Sequence, residues 1–122
     1  MFGLSRAQPN QWGDGDFLAV DSEAPCGIAG SFLDPEDPTR AKLVSMWTAP
    51  THRHAGVGRL LVDEVTRWAV RRGARALHLM VTSNNGSAIL FYERLGFART
   101  GHSEPYPNDP NVVEYEMSRP IP

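Results

Sequence analysis

The sequence predicts an α+β domain built on a mixed, mostly antiparallel sheet with a central β-α-β crossover and flanking helices. Three observations lead to this fold class. Short apolar runs separated by turns open and close the chain, which indicates strands that pair with their sequence neighbours. Two central segments carry apolar residues at helical spacing. A nearly all-apolar run lies between them, as expected for a strand covered on both faces.

Strands are predicted wherever a run of aliphatic, aromatic or β-branched residues is bounded by Gly, Pro, Asn or Asp. Residues 1–15 are rich in Gly, Asn, Gln and Asp, so they are predicted to form an irregular lead-in to a single domain at 16–122. The proline-rich stretches 34–38 and 103–110 are predicted to be loops, because proline removes a backbone donor. The predicted strands are residues 16–21, 26–33, 42–48, 76–81, 97–100 and 111–118.

Two helices are predicted from the change of period. The first begins at Val57 and is closed by Gly73 in the position after its last turn. Its apolar face consists of Val57, Leu61, Val65, Trp68 and Ala69. The second is capped by Ser83, Asn84 or Asn85 and is ended by Gly96. Its large or apolar residues are Ala88, Ile89, Phe91, Tyr92 and Leu95.

Composition excludes several classes of protein. The chain has 122 residues, and 12 Lys+Arg against 14 Asp+Glu give a net charge of −2, which gives no reason to expect a nucleic-acid partner. The single cysteine, Cys26, cannot form an internal disulfide, and we expect it to be a small buried residue in a reducing compartment. Residues 1–10 lack the pattern of a signal peptide, and no apolar run could cross a bilayer. We therefore expect a cytoplasmic protein without a membrane partner.

The loop before the first helix has an unusual composition. Helices normally place Asp or Glu in their first turn, where the macrodipole is positive, but here the first acid downstream is Asp63. Arg53, His54 and Arg59 flank the helix start instead, and glycines would let an anion approach bare backbone N–H groups. We interpret this loop as a pyrophosphate site.

Two familiar phosphate-binding motifs do not account for this loop. The chain has no Gly-x-x-x-x-Gly-Lys-[Ser/Thr] segment, so a P-loop is excluded. A dinucleotide fingerprint needs a third glycine after Gly56 and Gly58, but Leu60 and Leu61 occupy that region.

The motifs as a set resemble the GNAT superfamily of acetyl-CoA-dependent N-acetyltransferases. Its hallmark Arg/Gln-x-x-Gly-x-Gly/Ala is matched by Arg53-His54-Ala55-Gly56-Val57-Gly58. The apolar-x-Val-x-Pro pattern that precedes it resembles Met46-Trp47-Thr48-Ala49-Pro50. The family's Asn-x-x-Ala-x-x-x-Tyr and Gly-Phe are matched by Asn85, Ala88, Tyr92, Gly96 and Phe97.

The chain departs from the family in two respects. His54 and Ala55 stand where the family often has Gly and a basic residue. The family also has a strand and one or two helices before the strand at 16–21, and fifteen residues cannot hold them. The resemblance is therefore to a short form, and either the chain is truncated or a partner subunit fills the gap. An edge left open by the absent elements would need cover, so we expect a possible homodimer.

The resemblance implies acetyl-CoA as cosubstrate and no metal. The N–H groups of the turn at 54–59 would bind the pyrophosphate, and the pantetheine arm would pair with a strand that splays from its parallel neighbour. A side chain at Gly58 would then collide with the phosphate, so Gly58→Val is expected to abolish CoA binding and leave the fold intact. The cofactor-binding residues implied are Met46, Trp47, Thr48, Arg53, His54, Ala55, Gly56, Val57, Gly58, Arg59, Asn85 and Tyr92.

Structural alternatives stay open at five of these positions, and at Tyr92 the alternative is an ordinary aromatic residue of the helix face. Gly56 and Gly58 could serve only to permit close packing of helix and strand. Trp47 could be a core residue or a wall of the acceptor pocket, and Asn85 could be a plain helix cap.

The resemblance makes Tyr92 the candidate catalytic residue. Amine acetylation requires an acid for the departing CoA thiolate, and a phenol within reach of the sulfur can serve. The general base is not identifiable, because the strand before the loop carries Ser45 but no acid. His52 and His78 are candidates, although a structural role would also explain each of them.

The function implied is transfer of an acetyl group from acetyl-CoA to a primary amine, directly within a ternary complex. The acceptor would be a small molecule or a peptide. The alternative is a non-catalytic module of the same fold that binds acyl-CoA or regulates a partner.

Overall fold

Seven strands and two α-helices follow one another along the described residues. The computed structural model describes residues 2–6, of which it gives the backbone only, and residues 15–122. The elements are β1 Phe2–Arg6, β2 Phe17–Asp21, β3 Ala24–Asp34, β4 Asp37–Thr48, α1 Val57–Arg71, β5 Ala76–Thr82, α2 Gly86–Arg94, β6 Ala98–Pro105 and β7 Val113–Pro120. A short 3-10 helix, Pro50–His52, lies between β4 and α1.

The strands form one sheet in the order β1-β2-β3-β4-β5-β7-β6. Every neighbouring pair is antiparallel except β4 and β5, which are parallel and joined through α1. This arrangement confirms the predicted fold class, a mixed and mostly antiparallel sheet with a central β-α-β crossover.

The core lies between α1 and one face of the sheet. All five residues of the predicted apolar face of α1 are buried. The strands contribute alternate residues to the same core, as the pleat requires, and these include Ala41, Leu43, Leu77, Leu79 and Met117. Their neighbours Lys42 and His78 therefore point to the opposite face of the sheet.

The expectation of an irregular lead-in is wrong for residues 2–6. These residues form β1, which pairs antiparallel with β2 from Phe2↔Asp21 to Arg6↔Phe17. Residues 7–14 of the predicted lead-in lie outside the described residues. Because β1 covers the edge of β2, the argument for a homodimer from an open edge there no longer holds. The homodimer stays a prediction, which light scattering would check.

The proline-rich segments contain more strand than predicted. β3 continues to Asp34 and β4 begins at Asp37, so only two residues lie between them. Pro38 is tolerated within β4 because the β3–β4 register shifts at this point, and prolines are found at such irregularities. β6 likewise extends to Pro105, beyond the predicted limit at residue 100. Neither described helix is long and apolar enough to cross a membrane.

Candidate active site

The parallel pairing of β4 and β5 is short. It runs from Arg40↔Ala76 to Leu43↔Leu79, yet β4 continues to Thr48 and β5 continues to Thr82. Beyond that point β4 keeps its partner β3 and β5 keeps its partner β7. The two strands therefore separate as the resemblance implies, and we call the space between residues 44–48 and 80–82 the β4–β5 gap.

A β-bulge in β4 accounts for this separation. On the β3 side, Ile28 pairs with Trp47 but Gly30 pairs with Val44, so two residues of β4 stand opposite one residue of β3. Ser45 has φ 54°, which is uncommon for a residue with a side chain. A bulge bends its strand and increases the local twist. Here it turns the end of β4 away from β5, leaving backbone groups that the described part of β5 does not pair.

The turn after β4 presents free N–H groups. His54 and Gly56 have φ 66° and 86°, and the first hydrogen bond of α1 runs from Leu60 N–H to the Gly56 carbonyl, 3.0 Å. Within the described parts of the chain, the N–H groups of residues 57–59 have no backbone acceptor. The first turn of α1 contains no acid and has no side-chain cap. This geometry fits an external anion.

The side chains around this turn are exposed. Arg53, His54, Ala55 and Arg59 all face solvent, whereas Val57 is buried beneath the turn. The structure thus brings the predicted pyrophosphate residues together in the turn that follows β4, with the exposed Arg53 and Arg59 on either side of it in the chain.

Side-chain hydrogen bonds hold the start of this loop in place. His52 Nε2 lies 2.8 Å from Asp21 Oδ2, and His52 Nδ1 lies 2.9 Å from Thr51 Oγ1. The hydrogen bond with His52 holds the pKa of Asp21 below its usual value. The Ala49 N–H also donates to the Cys26 carbonyl at 2.8 Å. Both ring nitrogens of His52 are thus engaged, which is consistent with the structural alternative for this residue.

The two glycines of the turn have different roles. Gly56 has open space around it and needs glycine for its positive φ. A Cβ at Gly58 would lie 3.0 Å from Phe91 Cζ and 3.5 Å from Met46 Cε. Gly58 therefore permits α1 to approach α2 and β4 closely. The expectation that Gly58→Val would leave the fold intact stays a prediction, and a side chain there would require the Phe91 ring to shift.

Tyr92 is buried on α2 and only 8% exposed. Its ring makes edge contacts with Phe91 and Phe97, at centroid distances of 5.1 and 5.7 Å. Burial raises the pKa of Tyr92 to about 12. This pKa is about 3.5 units above that of a cysteine-like thiol. Transfer of a proton from the phenol to a thiolate, taken as a separate step, is therefore uphill by roughly 5 kcal/mol. The phenol is therefore neutral at physiological pH and can act as a hydrogen-bond donor.

The remaining predicted cofactor residues lie near the β4–β5 gap. Asn85 caps α2, because its Oδ1 accepts a hydrogen bond from the Ala88 N–H at 3.2 Å. Its contact with a cofactor stays a prediction. Trp47 is 45% exposed, so it is not a core residue. Met46 is half-buried beneath α1, and Thr48 pairs with Gly27 of β3.

A pocket of ≈ 450 Å³ lies on the face of the sheet opposite α1. It is lined by Phe32, Lys42, Leu43, Val44, Ser45, His78, Leu79, Met80, Glu114 and Glu116. Of these residues, only His78 is a candidate base by sequence, and Ser45 is the polar residue noted on the strand before the loop. The alternation Val-Glu-Tyr-Glu-Met at 113–117 would have placed both glutamates on one face of a strand.

Glu116 is the centre of an electrostatic cluster in this pocket. It accepts a hydrogen bond from Thr100 Oγ1 at 2.7 Å, and its Oε2 lies 3.5 Å from His78 Nδ1 and 4.0 Å from Lys42 Nζ. Burial raises the pKa of Glu116. The interactions with Thr100, His78 and Lys42 lower it by more, so the pKa lies below its usual value. Glu116 is therefore ionised at neutral pH. Among the described residues, no cluster of His, Cys, Asp or Glu could hold a metal ion.

The sequence matches the acetyltransferase (GNAT) family over residues 3–97, which is more than half of its length, so the chain belongs to that family. A streptothricin acetyltransferase from Streptomyces lavendulae is 42% identical over 62 residues, covering 51% of this chain and 33% of that protein. The chain therefore spans about a third of the length of that relative.

Solved structures share the fold. A nourseothricin acetyltransferase superposes with a TM-score of 0.80 at 32% identity, covering 88% of this chain and 65% of that chain. A NatC complex bound to Gag peptide and CoA gives a TM-score of 0.79 at 23% identity, covering 93% of this chain and 76% of that one. At this identity the second likeness shows the fold alone.

The contact between Gly58 and Phe91 predicts how substitutions there combine. Gly58→Val should reduce the free energy of unfolding by about 1–3 kcal/mol, because overpacking forces neighbouring groups to shift. Phe91→Leu in the same chain should recover part of this loss by vacating space at the ring edge. Urea unfolding of the wild type, both single variants and the double variant measures the coupling. Simple additivity of the two effects would contradict the contact.

Burial of Tyr92 predicts a loss of stability in alkaline solution. Its phenol ionises near pH 10 when unfolded but near pH 12 when folded, so above pH 10 the unfolded state binds fewer protons. The free energy of unfolding therefore falls as pH rises. Between pH 9 and 11.5 the wild type should lose about 2 kcal/mol more than Tyr92→Phe, as measured by urea unfolding. Equal losses in both proteins would show that Tyr92 is not buried in this way.

Proposed function

We propose that the protein transfers an acetyl group from acetyl-CoA to a primary amine, directly within a ternary complex. One observation carries the proposal. The β4–β5 gap leads straight into the acid-free glycine turn before α1, so that an extended strand edge and an anion site lie end to end. A long ligand with a pyrophosphate at one end and a thioester at the other matches that arrangement.

The cofactor would be held mainly by backbone groups. The free N–H groups at residues 57–59 and the exposed Arg53 and Arg59 would bind the pyrophosphate. The unpaired edge of β4 at Met46, Trp47 and Thr48 would pair with the amides of the pantetheine arm, as an added strand does. The amide of Asn85 and the phenol of Tyr92 would then lie along the other side of the gap.

The reaction would be attack of a neutral amine on the thioester carbonyl. The C–N bond forms, the C–S bond breaks, and CoA leaves as a thiolate that is stabilised by a hydrogen bond from the neutral Tyr92 phenol. Direct transfer is favoured over an acyl-enzyme because the only cysteine, Cys26, is fully buried. Burial also raises the pKa of its thiol, which lowers the thiolate population that a nucleophile needs.

The acceptor would be a small-molecule or peptide amine. The similar proteins include a streptothricin acetyltransferase, a nourseothricin acetyltransferase and a complex bound to a peptide. A module that binds acyl-CoA without catalysis is the alternative, and the absence of a carboxylate on β4 near Ser45 supports it.

Acetyl-CoA binding is the first test. Titration calorimetry should give a measurable affinity that falls at least tenfold in the double variant Arg53→Gln/Arg59→Gln, because each charge-assisted hydrogen bond contributes about 1.5–3 kcal/mol. Arg71→Gln, at the opposite end of α1, is the matched control and should bind as the wild type does. Equal affinity in the double variant and the control would remove the turn from the cofactor site.

Turnover separates the enzyme from the binding module. Release of CoA thiol should accelerate when streptothricin, a peptide with a free N-terminus or a polyamine is added to the protein with acetyl-CoA. Tyr92→Phe should lower kcat by at least tenfold, with the Kd for acetyl-CoA within a factor of two of the wild type. If the protein binds acetyl-CoA but no amine accelerates the release of CoA thiol, the non-catalytic alternative would be favoured. Full activity of Tyr92→Phe would exclude a role of Tyr92 in stabilising the departing CoA thiolate.

A further inference from the structure

The segment between β4 and α1 carries the glycine turn and is anchored at its two ends. At its start the Ala49 N–H donates to the Cys26 carbonyl of β3 at 2.8 Å, and at its end Val57 is buried in the core. Between these anchors the backbone hydrogen bonds among the described residues stay local. The His52 N–H donates to the Ala49 carbonyl at 2.9 Å, and the Ala55 N–H donates to the His52 carbonyl at 3.2 Å. The turn therefore needs a further contact to fix its position on the sheet.

The hydrogen bond between His52 and Asp21 supplies that contact. The two side chains meet at 2.8 Å although 31 positions separate them in the sequence. Within the described parts of the chain, no other side chain of residues 50–56 makes a hydrogen bond or an ion pair with a different element. Asp21 is the last residue of β2, so this bond ties the segment to the sheet.

The His52 imidazole can hold both of its partners at once. With the proton on Nε2, the neutral ring donates to the Asp21 carboxylate, and its Nδ1 accepts from the Thr51 hydroxyl at 2.9 Å. A protonated ring would also keep both contacts, because Nδ1–H would then donate to the Thr51 oxygen. The bond to Asp21 is therefore retained in either protonation state of the ring.

Asp21 itself stands at a fixed point of the sheet. It pairs with Ala24 of β3 in the last pair of the β2–β3 hairpin. Ser22 and Glu23 form the turn with φ 50° and 72°, and two successive left-handed residues are typical of the tight two-residue hairpin turn. A short turn of this kind leaves the residue that precedes it little freedom. The carboxylate is therefore a firm support for the His52 ring.

We propose that the Asp21–His52 hydrogen bond pre-orders the glycine turn for the pyrophosphate of acetyl-CoA, which makes Asp21 a positioning residue that acts through His52. The inference rests on the proposed function and adds a residue to its cofactor site. His52 lies two residues before His54, where the left-handed turn begins, so holding its ring restricts the conformations open to the turn. Without the bond, the cofactor would have to order this backbone itself on binding, and its affinity would fall.

The sign of the effect separates positioning from simple electrostatics. Asp21 is an acid bonded to the segment that carries the proposed anion site, so Coulomb's law alone predicts that its removal strengthens anion binding. Pre-ordering predicts the opposite result, because loss of the hydrogen bond loosens the turn. Glu23 lies on the same hairpin and is exposed, and among the described residues it makes no hydrogen bond or ion pair with His52. It therefore provides the matched control for charge.

Titration calorimetry with acetyl-CoA tests the proposal. Asp21→Ala should raise the Kd at least threefold, whereas Glu23→Gln should lower the Kd or leave it within a factor of two of the wild type. Asp21→Asn should recover part of the loss, because its side-chain oxygen can still accept from Nε2–H. The double variant Asp21→Ala/His52→Ala should bind no more weakly than the weaker single variant, since both changes remove the same contact. A Kd for Asp21→Ala at or below that of the wild type would overturn the proposal and leave the proposed function standing.

Two further measurements separate the possible causes of weaker binding. Urea unfolding of Asp21→Ala should give a midpoint close to that of the wild type, because a partly exposed pair contributes little to global stability. Inorganic pyrophosphate is the second probe, and Asp21→Ala should weaken its binding by a similar factor. If the wild type bound pyrophosphate in this way but not acetyl-CoA, the pre-ordered turn would be supported and the proposed function contradicted. Failure of the wild type to bind either ligand would overturn both.

Discussion

The site depends on one constraint, which is that β4 and β5 can pair over only four positions before they separate. Ser45, which has a positive φ, lies in a β-bulge where β4 has one residue more than β3, and this bulge bends the strand. Because both strands keep their outer partners, the separation opens a gap inside a continuous sheet instead of fraying an edge. The glycine turn follows the end of β4 and the pocket on the opposite face is lined by residues of β4 and β5, so the position of the bulge sets the distance between them.

Most of the fold could be predicted because local patterns and tertiary structure agree. The helical spacing from Val57 gave the buried face of α1, and the side-chain oxygen of Asn85 marked the start of α2. The strand Phe2–Arg6 was missed because its short sequence, with glycine and serine among the five residues, has little strand propensity of its own. Its pairing with β2 supplies the stability that the local sequence does not.

The site was only partly predictable, for a different reason. The spacing of Arg53, Gly56 and Gly58 indicated an anion site because the chemistry lies within one turn. The sequence could not show that Phe91 packs on Gly58, since α1 and α2 are separated by a whole strand. It also could not show that Glu116 meets His78, because alternation gives the face of a strand but not its neighbour in the sheet.

The two sides of the sheet can therefore change independently in this molecule. The residues proposed for the cofactor lie around the start of α1 and along the edge of β4, while Phe32, Glu114 and their neighbours project from the opposite face and contact neither helix-start glycine. Under the proposed function, substitutions at those outward-facing positions would change the surface that an acceptor meets and leave the proposed cofactor residues in place. Directed evolution of new acceptor specificities could accordingly begin from this face alone, with a small library of pocket residues.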